Sequence, residues 1–308
     1  MTGNHTIEIT SSPSLRARLM QGAIGMLTNV GKIDRTNYQL HREKLERWSK
    51  YVPQLKDVSY HPEVLNGFTA EWMKPEKARQ DRVLYYLHGG GFAICSVNTH
   101  RKLIASIARK TGVNAFAINY RLSPEHPFPA ALEDAVKGYE YLLQKGFAPE
   151  KILIAGDSAG GGLAISTLLS LQKKNIPLPA AAVCIAPWTD LEGTGNSHTT
   201  NARTEKLLDL PTIKIWGEAY AGKVSLRHPF VSPIYADLSG LPPLYIQVST
   251  TEMLLDDAVR LHERALSCGV NSTLEKWNGL IHVWQVHTFL PDARKAIGNI
   301  AEFANRHI

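Results

Sequence analysis

The hydrophobic pattern of the chain changes near residue 68. Before that point, residues 1–55 carry apolar positions at helical spacing and predict two amphipathic helices. After it, short apolar runs alternate with amphipathic segments of helix length. The predicted strands are residues 83–87, 114–118, 151–155, 181–185, 244–248 and 273–277. Strands that alternate with helices in this way predict an α/β fold with a mainly parallel central sheet flanked by helices.

A long connection interrupts this alternation at residues 187–230. A polar stretch, residues 189–204, precedes a helical pattern at residues 211–220. Within a compact domain, a connection of this length is usually a lid or an insertion. We therefore expect residues 1–55 and 187–230 to form a helical cap over the carboxyl ends of the strands, where α/β proteins bind ligands. The α/β core then comprises residues 56–186 and 231–308.

The composition excludes several classes of protein. With 44% hydrophobic and 20% charged residues, the chain resembles an ordinary globular protein. Its apolar stretches are much shorter than the roughly 18 residues that a membrane span needs, so no span is predicted. The 3 cysteines are far apart and the N-terminus lacks the order of a signal peptide. Both features favour a cytoplasmic protein with reduced thiols.

The net charge of +6 at first suggests a nucleic-acid partner. Much of the excess lies in residues 1–50, on predicted helix faces that also carry glutamates. Such faces are usually solvated, and we expect no nucleic-acid partner. The sequence leaves a homodimer open.

A glycine-flanked serine lies between a predicted strand and a predicted helix. Residues 156–160 read Gly-Asp-Ser-Ala-Gly, the G-x-S-x-G pattern of a nucleophile elbow. A serine in a strained turn needs neighbours without side chains, and its Oγ then stands clear of the backbone at a helix N-terminus. Ser158 is therefore the candidate nucleophile.

A second glycine-rich motif directly follows the predicted strand 83–87. Residues 88–92 read His-Gly-Gly-Gly-Phe. Consecutive glycines allow backbone N–H groups to converge on a developing oxyanion, together with the N–H of Ala159. A phosphate-binding loop explains the motif less well, because no Gly-Lys-Ser/Thr follows.

These two motifs are accompanied by an acid segment and a histidine segment near the C-terminus, and by the segment Tyr-Arg-Leu-Ser-Pro-Glu-His-Pro-Phe-Pro-Ala-Ala at residues 120–131. In this combination the chain resembles the hormone-sensitive-lipase-like (family IV) branch of the α/β-hydrolase esterases. The resemblance covers about residues 60–300. It implies an α/β-hydrolase fold, and a serine carboxylesterase that hydrolyses small-molecule esters with short to medium acyl chains. It also implies that Gly89, Gly90 and Ala159 supply the oxyanion-hole amides, with Gly91 shaping the loop. The implied mechanism needs no metal and no organic cofactor.

The chain order of α/β-hydrolases, nucleophile then acid then histidine, restricts the base to histidines well after Ser158. His282 lies in Gly-Leu-Ile-His-Val-Trp at residues 279–284, where the family has a Gly-x-x-His-x-Phe-like pattern. His282 is the candidate base, and His287 is the rival.

The acid is to be found among three carboxylates in residues 250–257. The family usually has Asp-x-Leu-x-Asp here, and the alignment puts Glu252 at its first, catalytic position. Glutamate replaces aspartate in some triads of this fold. Asp256 remains the alternative, and Asp257 is expected to be a carboxylate at the start of a helix, favoured by the helix dipole.

Four aromatic residues are candidates for substrate contacts: Phe92, Trp188, Trp216 and Trp284. With the cap, they fit small to medium hydrophobic acyl esters. The same triad would also serve an amide, acetyl or lactone hydrolase. A non-catalytic small-molecule receptor on this scaffold is a further alternative, although the retained His282 argues against it.

Overall fold

The computed structural model of the chain describes residues 5–28, 36–65 and 67–308. Within these residues it contains one nine-stranded sheet. The strands are, in chain order, β1 (His5–Ile9), β2 (Val58–Leu65), β3 (Phe68–Pro75), β4 (Arg79–Leu87), β5 (Val113–Asn119), β6 (Ile152–Asp157), β7 (Ala181–Ile185), β8 (Leu244–Ser249) and β9 (Ser272–Trp277). Across the sheet they follow the order β1-β9-β8-β7-β6-β4-β5-β3-β2.

The sheet is mainly parallel, as predicted. Neighbouring strands are parallel from β1 across to β5, whereas β3 is antiparallel to both β5 and β2. The carboxyl ends of β4, β6, β8 and β9 therefore meet at one edge of the sheet. All six strands predicted from the sequence are present.

Helices cover both faces of the sheet. They are α1 (Leu15–Thr28), α2 (Tyr38–Ser49), α3 (Val97–Thr111), α4 (Ala130–Gln144), α5 (Ala159–Lys173), α6 (Ser197–Thr200), α7 (Leu210–Ala221), α8 (Leu255–Ser267) and α9 (Pro291–His307). The core residues of α4, α5 and α8 pack with one sheet face and those of α3 and α9 with the other. Alternation along β4 explains both layers: Val83, Tyr85 and Leu87 join the first cluster, and Leu84 and Tyr86 join the second.

The N-terminal segment contains more than the two predicted helices. Strand β1 precedes α1 and pairs in parallel with β9, so this segment also extends the sheet. Helix α1 buries Ala17 beside the C-terminal part of the core. Leu15 and Leu19 are among the apolar positions whose helical spacing predicts this helix. Their side chains are nevertheless 63% and 66% exposed.

The predicted helical pattern at residues 211–220 is present as α7, and the short helix α6 precedes it. No helix in the described part of the chain is both long enough and apolar enough to cross a membrane.

Candidate active site

A cavity of about 460 Å³ opens at the carboxyl ends of β4, β6 and β9. We call it the central cavity. Ser158, His282, His100, Asp157, Thr99, Gly90 and Gly91 form its polar part. Its apolar wall consists mainly of Leu45, Ile94, Cys95, Trp188, Leu207, Leu208, Ile213, Trp216, Leu254, Val283 and Val286.

Ser158 occupies a strained turn between β6 and α5. Its φ of 52° and ψ of −123° lie outside the regions that residues with side chains favour. The flanking glycines allow this turn to form. A Cβ on Gly156 would lie 2.2 Å from the carbonyl oxygen of Gly160, and one on Gly160 would lie 2.1 Å from that of Leu87. The turn therefore requires glycine at both positions and presents Ser158 to the central cavity.

Ser158, His282 and Glu252 form one hydrogen-bonded chain. Ser158 Oγ lies 2.9 Å from His282 Nε2, and His282 Nδ1 lies 2.6 Å from Glu252 Oε2. Because Nδ1 faces a carboxylate, it carries the proton, and Nε2 is left to accept one from the serine. Glu252 is fully buried, and its other oxygen accepts the backbone N–H of Ser249 at 2.6 Å. Both carboxylate oxygens of the glutamate are thus hydrogen-bonded, which fixes the orientation of its longer side chain.

Burial lowers the pKa of His282, but the hydrogen bond and the negative charge of Glu252 outweigh it. The net result is a pKa above the usual histidine value. The carboxylate therefore stabilises the protonated form that a general base passes through.

Two hydroxyl residues tie the histidine loop to the acid loop. Ser249 Oγ donates to the carbonyl oxygen of Leu280 at 2.7 Å and accepts its N–H at 2.8 Å. Thr251 Oγ1 donates to the same carbonyl at 2.6 Å. These contacts hold His282 at a fixed distance from Glu252. Sequence reasoning missed both residues, because no local pattern marks a hydrogen bond between loops.

The rival carboxylates have other partners. Asp256 Oδ2 accepts the backbone N–H of Ser197 at 3.0 Å. Asp257 is buried at the start of α8 and lies 2.8 Å from His198 Nε2. Asp257 therefore helps to hold residues 187–230 on the core instead of acting as a simple helix-start charge.

The glycine loop differs from the expected arrangement at one position. The N–H of Gly89 donates to Asp157 Oδ1 at 3.1 Å, so it is not available to an oxyanion. Gly90 and Gly91 line the central cavity, and the described residues offer no acceptor to their N–H groups. Ala159 begins α5, where the first N–H groups of a helix lack intrahelical partners. The assignment of Gly89 is therefore corrected, and Gly90, Gly91 and Ala159 carry the available amides.

Only two of the four candidate aromatics line the central cavity. Trp188 and Trp216 do, and the Trp216 ring packs against Gly91. Phe92 instead stacks on Tyr220 with ring centroids 3.6 Å apart.

Trp284 is fully buried and packs against Trp277, with ring centroids 5.6 Å apart. Neither Phe92 nor Trp284 lines the central cavity, so the structure does not support the prediction that they contact substrate. Each ring lies at a turn with a positive φ angle. The angle is 60° at Phe92 itself and 48° at Val283, which precedes Trp284, and these turns direct the two rings into the core.

Residues from both predicted cap segments line the central cavity on the side that we call its roof. Residues 187–230 contribute Trp188, Leu207, Leu208, Thr212, Ile213 and Trp216, and α2 contributes Leu45. Arg42 of α2 holds this roof to the core, because its Nε donates to the Ala93 carbonyl at 2.8 Å and its Nη2 to the Ser123 carbonyl at 2.7 Å. Helix α1 contributes no residue to the lining.

This site can perform nucleophilic acyl transfer. It combines a hydroxyl that faces the cavity, a base in contact with it, a carboxylate that orients the base, and free amides in the same cavity. Across residues 5–28, 36–65 and 67–308, no group of three or more histidine, cysteine or acidic side chains is arranged to hold a metal ion.

Comparisons with known proteins identify α/β-hydrolase and esterase relatives of this chain. Residues 84–286 match the family described as the alpha/beta hydrolase fold. An acetyl-hydrolase of Streptomyces hygroscopicus is 48% identical over 231 residues, which are 74% of this chain and 77% of that protein. An esterase of Acinetobacter venetianus is 33% identical over 265 residues, which are 85% of this chain and 87% of that protein.

Solved structures of esterases are also similar to this chain. An esterase from the bacterial hormone-sensitive lipase family superposes with a TM-score of 0.91 at 40% identity, over 97% of this chain and 100% of that one.

Proposed function

We propose that this chain, which belongs to the hormone-sensitive-lipase-like esterases of the α/β-hydrolase fold, is a serine carboxylesterase that uses Ser158 as nucleophile, His282 as base and Glu252 as orienting acid. The observation that carries the proposal is the continuous contact from Ser158 Oγ through His282 to Glu252. The free amides of Gly90, Gly91 and Ala159 support it.

In the first half of the reaction, His282 Nε2 takes the proton of Ser158 as Oγ attacks the acyl carbonyl carbon. The carbonyl π electrons move to the oxygen, and the amides of Gly90, Gly91 and Ala159 stabilise this oxyanion. When the tetrahedral intermediate collapses, the bond to the alkoxy oxygen breaks. His282 returns its proton to that oxygen, and the alcohol leaves.

In the second half, water replaces the alcohol. His282 takes a proton from water as its oxygen attacks the acyl carbon, and the intermediate again collapses. The bond to Ser158 Oγ breaks, the serine recovers its proton from His282, and the carboxylic acid leaves. Throughout, Glu252 keeps the Nδ1 proton in place and stabilises the imidazolium.

The shape and lining of the central cavity favour short- to medium-chain acyl esters. Its volume of about 460 Å³ fits a small ligand, and its wall is largely aliphatic and aromatic. Hydrolysis of acetyl groups is the second candidate, favoured by the 48% identity to an acetyl-hydrolase. Both activities use the same acyl-enzyme chemistry.

We further propose that residues 187–230, together with helix α2 of the N-terminal segment 1–55, act as the cap. Their residues above Ser158, among them Leu45 and Trp216, support this role. A cytoplasmic location is part of the same proposal, supported by the free state of Cys95, Cys184 and Cys268. The homodimer and the lack of a nucleic-acid partner stay predictions from the sequence.

The test uses Ser158→Ala with p-nitrophenyl esters of increasing acyl length, beside a matched amide and a lactone. We expect the variant to fold and to lose several orders of magnitude in ester hydrolysis. A fluorophosphonate should label the wild-type protein at Ser158 only. The proposal fails if the variant stays active or if another serine is labelled. Faster turnover of the amide or the lactone would instead reassign the substrate class.

A further inference from the structure

A buried carboxylate that the reaction does not use lies directly beside the nucleophile. Asp157 precedes Ser158, is 2% exposed and contributes to the lining of the central cavity. Its Oδ1 accepts the Tyr86 hydroxyl at 2.8 Å and the Gly89 N–H at 3.1 Å. An uncompensated negative charge at this place would oppose the oxyanion that forms nearby.

His100, at the start of α3, lies against this carboxylate. Its Nε2 is 3.2 Å from Asp157 Oδ2. Its Nδ1 faces the Thr99 hydroxyl oxygen at 2.8 Å and the Ser96 carbonyl at 3.3 Å. The Thr99 hydroxyl oxygen also accepts the Ser96 N–H at 3.0 Å and lies 2.8 Å from that same Ser96 carbonyl, to which it can donate its hydrogen. With the Thr99 hydrogen on that carbonyl, both ring nitrogens face acceptors, which an imidazolium satisfies and a neutral imidazole does not.

The electrostatics of the surroundings agree with this protonation. Burial lowers the pKa of His100, but the charge and hydrogen bond of Asp157 outweigh it and the net pKa is raised. The pKa of His88 falls to about 4, mainly through burial, so that ring is neutral. The other titratable groups around the pair are Glu46, Tyr86, Cys95, Tyr120 and His282. Burial raises the pKa of the tyrosines and of Cys95, which leaves them uncharged.

We propose that His100 and Asp157 are positioning residues of the esterase site, which form a neutral ion pair that holds the glycine loop through Gly89 and removes negative charge from beside the oxyanion. The inference rests on the proposed function. The loop and the carboxylate lie in close contact, since a Cβ on Gly89 would lie 2.2 Å from Asp157 Oδ2. With the Gly89 amide bound to Asp157, Gly90 and Gly91 are left to face the substrate.

Three variants separate charge from packing. His100→Gln keeps a donor for Asp157 but removes the cation. Asp157→Asn keeps an acceptor for Gly89 and removes the anion, and the double variant keeps hydrogen-bonding groups without either charge. At pH 8, a carboxylate that receives several hydrogen bonds stays ionised. We expect His100→Gln to lower kcat for p-nitrophenyl butyrate about tenfold or more. Asp157→Asn should lose much less, and the double variant should recover most of the loss.

The pH profile provides a second readout. The negative charge of Asp157 raises the pKa of His282. Without the cation of His100, the acidic limb of kcat/KM should therefore move to higher pH by about half a unit or more. It should return in the double variant. A change in packing alone would not move this limb.

His198→Gln is the matched control. It removes the histidine from a second buried pair, with Asp257 at 2.8 Å, that does not line the central cavity. We expect it to change the melting temperature without moving the acidic limb.

The inference is overturned if the double variant is no faster than His100→Gln, or if His100→Gln matches the wild-type protein in rate and pH profile. In both cases Ser158-dependent hydrolysis by the wild-type protein would still support the proposed function. A wild-type protein without such hydrolysis would refute the proposed function itself.

Discussion

Replacing Glu252 by glutamine should abolish turnover through the tautomer of His282. The buried carboxylate accepts two hydrogen bonds, from Ser249 N–H and from His282 Nδ1–H, at 2.6 Å each. In the variant, the amide oxygen can keep the bond from Ser249. The amide nitrogen then faces Nδ1 and donates to it. His282 must carry its proton on Nε2, where it can no longer accept one from Ser158.

The magnitude follows from the same chemistry. In serine proteases, the corresponding change from carboxylate to amide lowers kcat by about 10⁴, again through the wrong tautomer. This equals about 5 kcal/mol of transition-state stabilisation. We expect a loss of this order in kcat for Glu252→Gln. It is measured with p-nitrophenyl butyrate in end-point assays that run long enough to detect slow turnover. The melting temperature should change little, because the substitution preserves volume and the bond to Ser249.

Asp256→Asn is the matched control. Asp256 lies one helical turn further along and accepts the backbone N–H of Ser197, with no contact to His282. Weakening that bond should cost about 0.5–1.5 kcal/mol of stability and leave kcat within a few-fold of the wild-type value. If Asp256→Asn abolishes turnover and Glu252→Gln does not, the assignment of the acid is wrong.

Two further predictions concern the base and the cavity wall. Glu252 raises the pKa of His282, and only the neutral imidazole accepts the serine proton. We therefore expect kcat/KM to fall on acidification with a midpoint above about pH 6.5. A pH–rate profile with its midpoint at or below 6.5 would contradict this. Trp216→Ala should increase the activity toward octanoyl esters relative to acetyl esters, because the Trp216 ring fills the space against Gly91. A series of esters of increasing acyl length measures this ratio, with Trp48→Ala at an exposed position as the control. An unchanged ratio would contradict the role of Trp216.

Most of the strands that the sequence predicted are buried on both faces. Strand β6, for example, is buried at every position and appears in the sequence as a continuous apolar run. Three strands were missed: β1 and β2 at the two edges of the sheet, and β3, which lies between β2 and β5. Strand β2 buries only Val58, and β1 joins β9 through backbone pairing at polar positions such as Thr6 and Glu8. Edge strands need little apolar surface, so periodicity does not reveal β1 and β2. Strand β3 is mostly buried, but its run is interrupted by the polar Glu71, which is itself buried, so the sequence shows no continuous apolar run there.

The sequence predicted the parts of the site that depend on local sterics. Ser158 could be identified because its turn demands glycine on both sides, and His282 because the chain order restricts the choice. The role of Gly89 could not be identified in this way. Its N–H is taken by Asp157, which lies 68 positions away in the chain, and nothing in the loop itself records that contact. The positive φ angles that turn Phe92 and Trp284 into the core are likewise properties of the folded loops.

Two buried histidine–carboxylate pairs flank Ser158, and their outer contacts explain why they can serve different purposes. Beyond its carboxylate, His282 faces the hydroxyl of Ser158, which can either donate or accept a hydrogen, so the ring can lose and regain a proton without an unsatisfied group. Beyond its own carboxylate, His100 faces the Ser96 carbonyl, which can only accept, and the Thr99 hydroxyl that lies within reach of the same carbonyl, so deprotonation of Nδ1 would leave a buried nitrogen opposite the carbonyl lone pair. The first pair is therefore suited to transfer protons during each turnover. The second is suited to keep its charge constant while the oxyanion beside it forms and collapses.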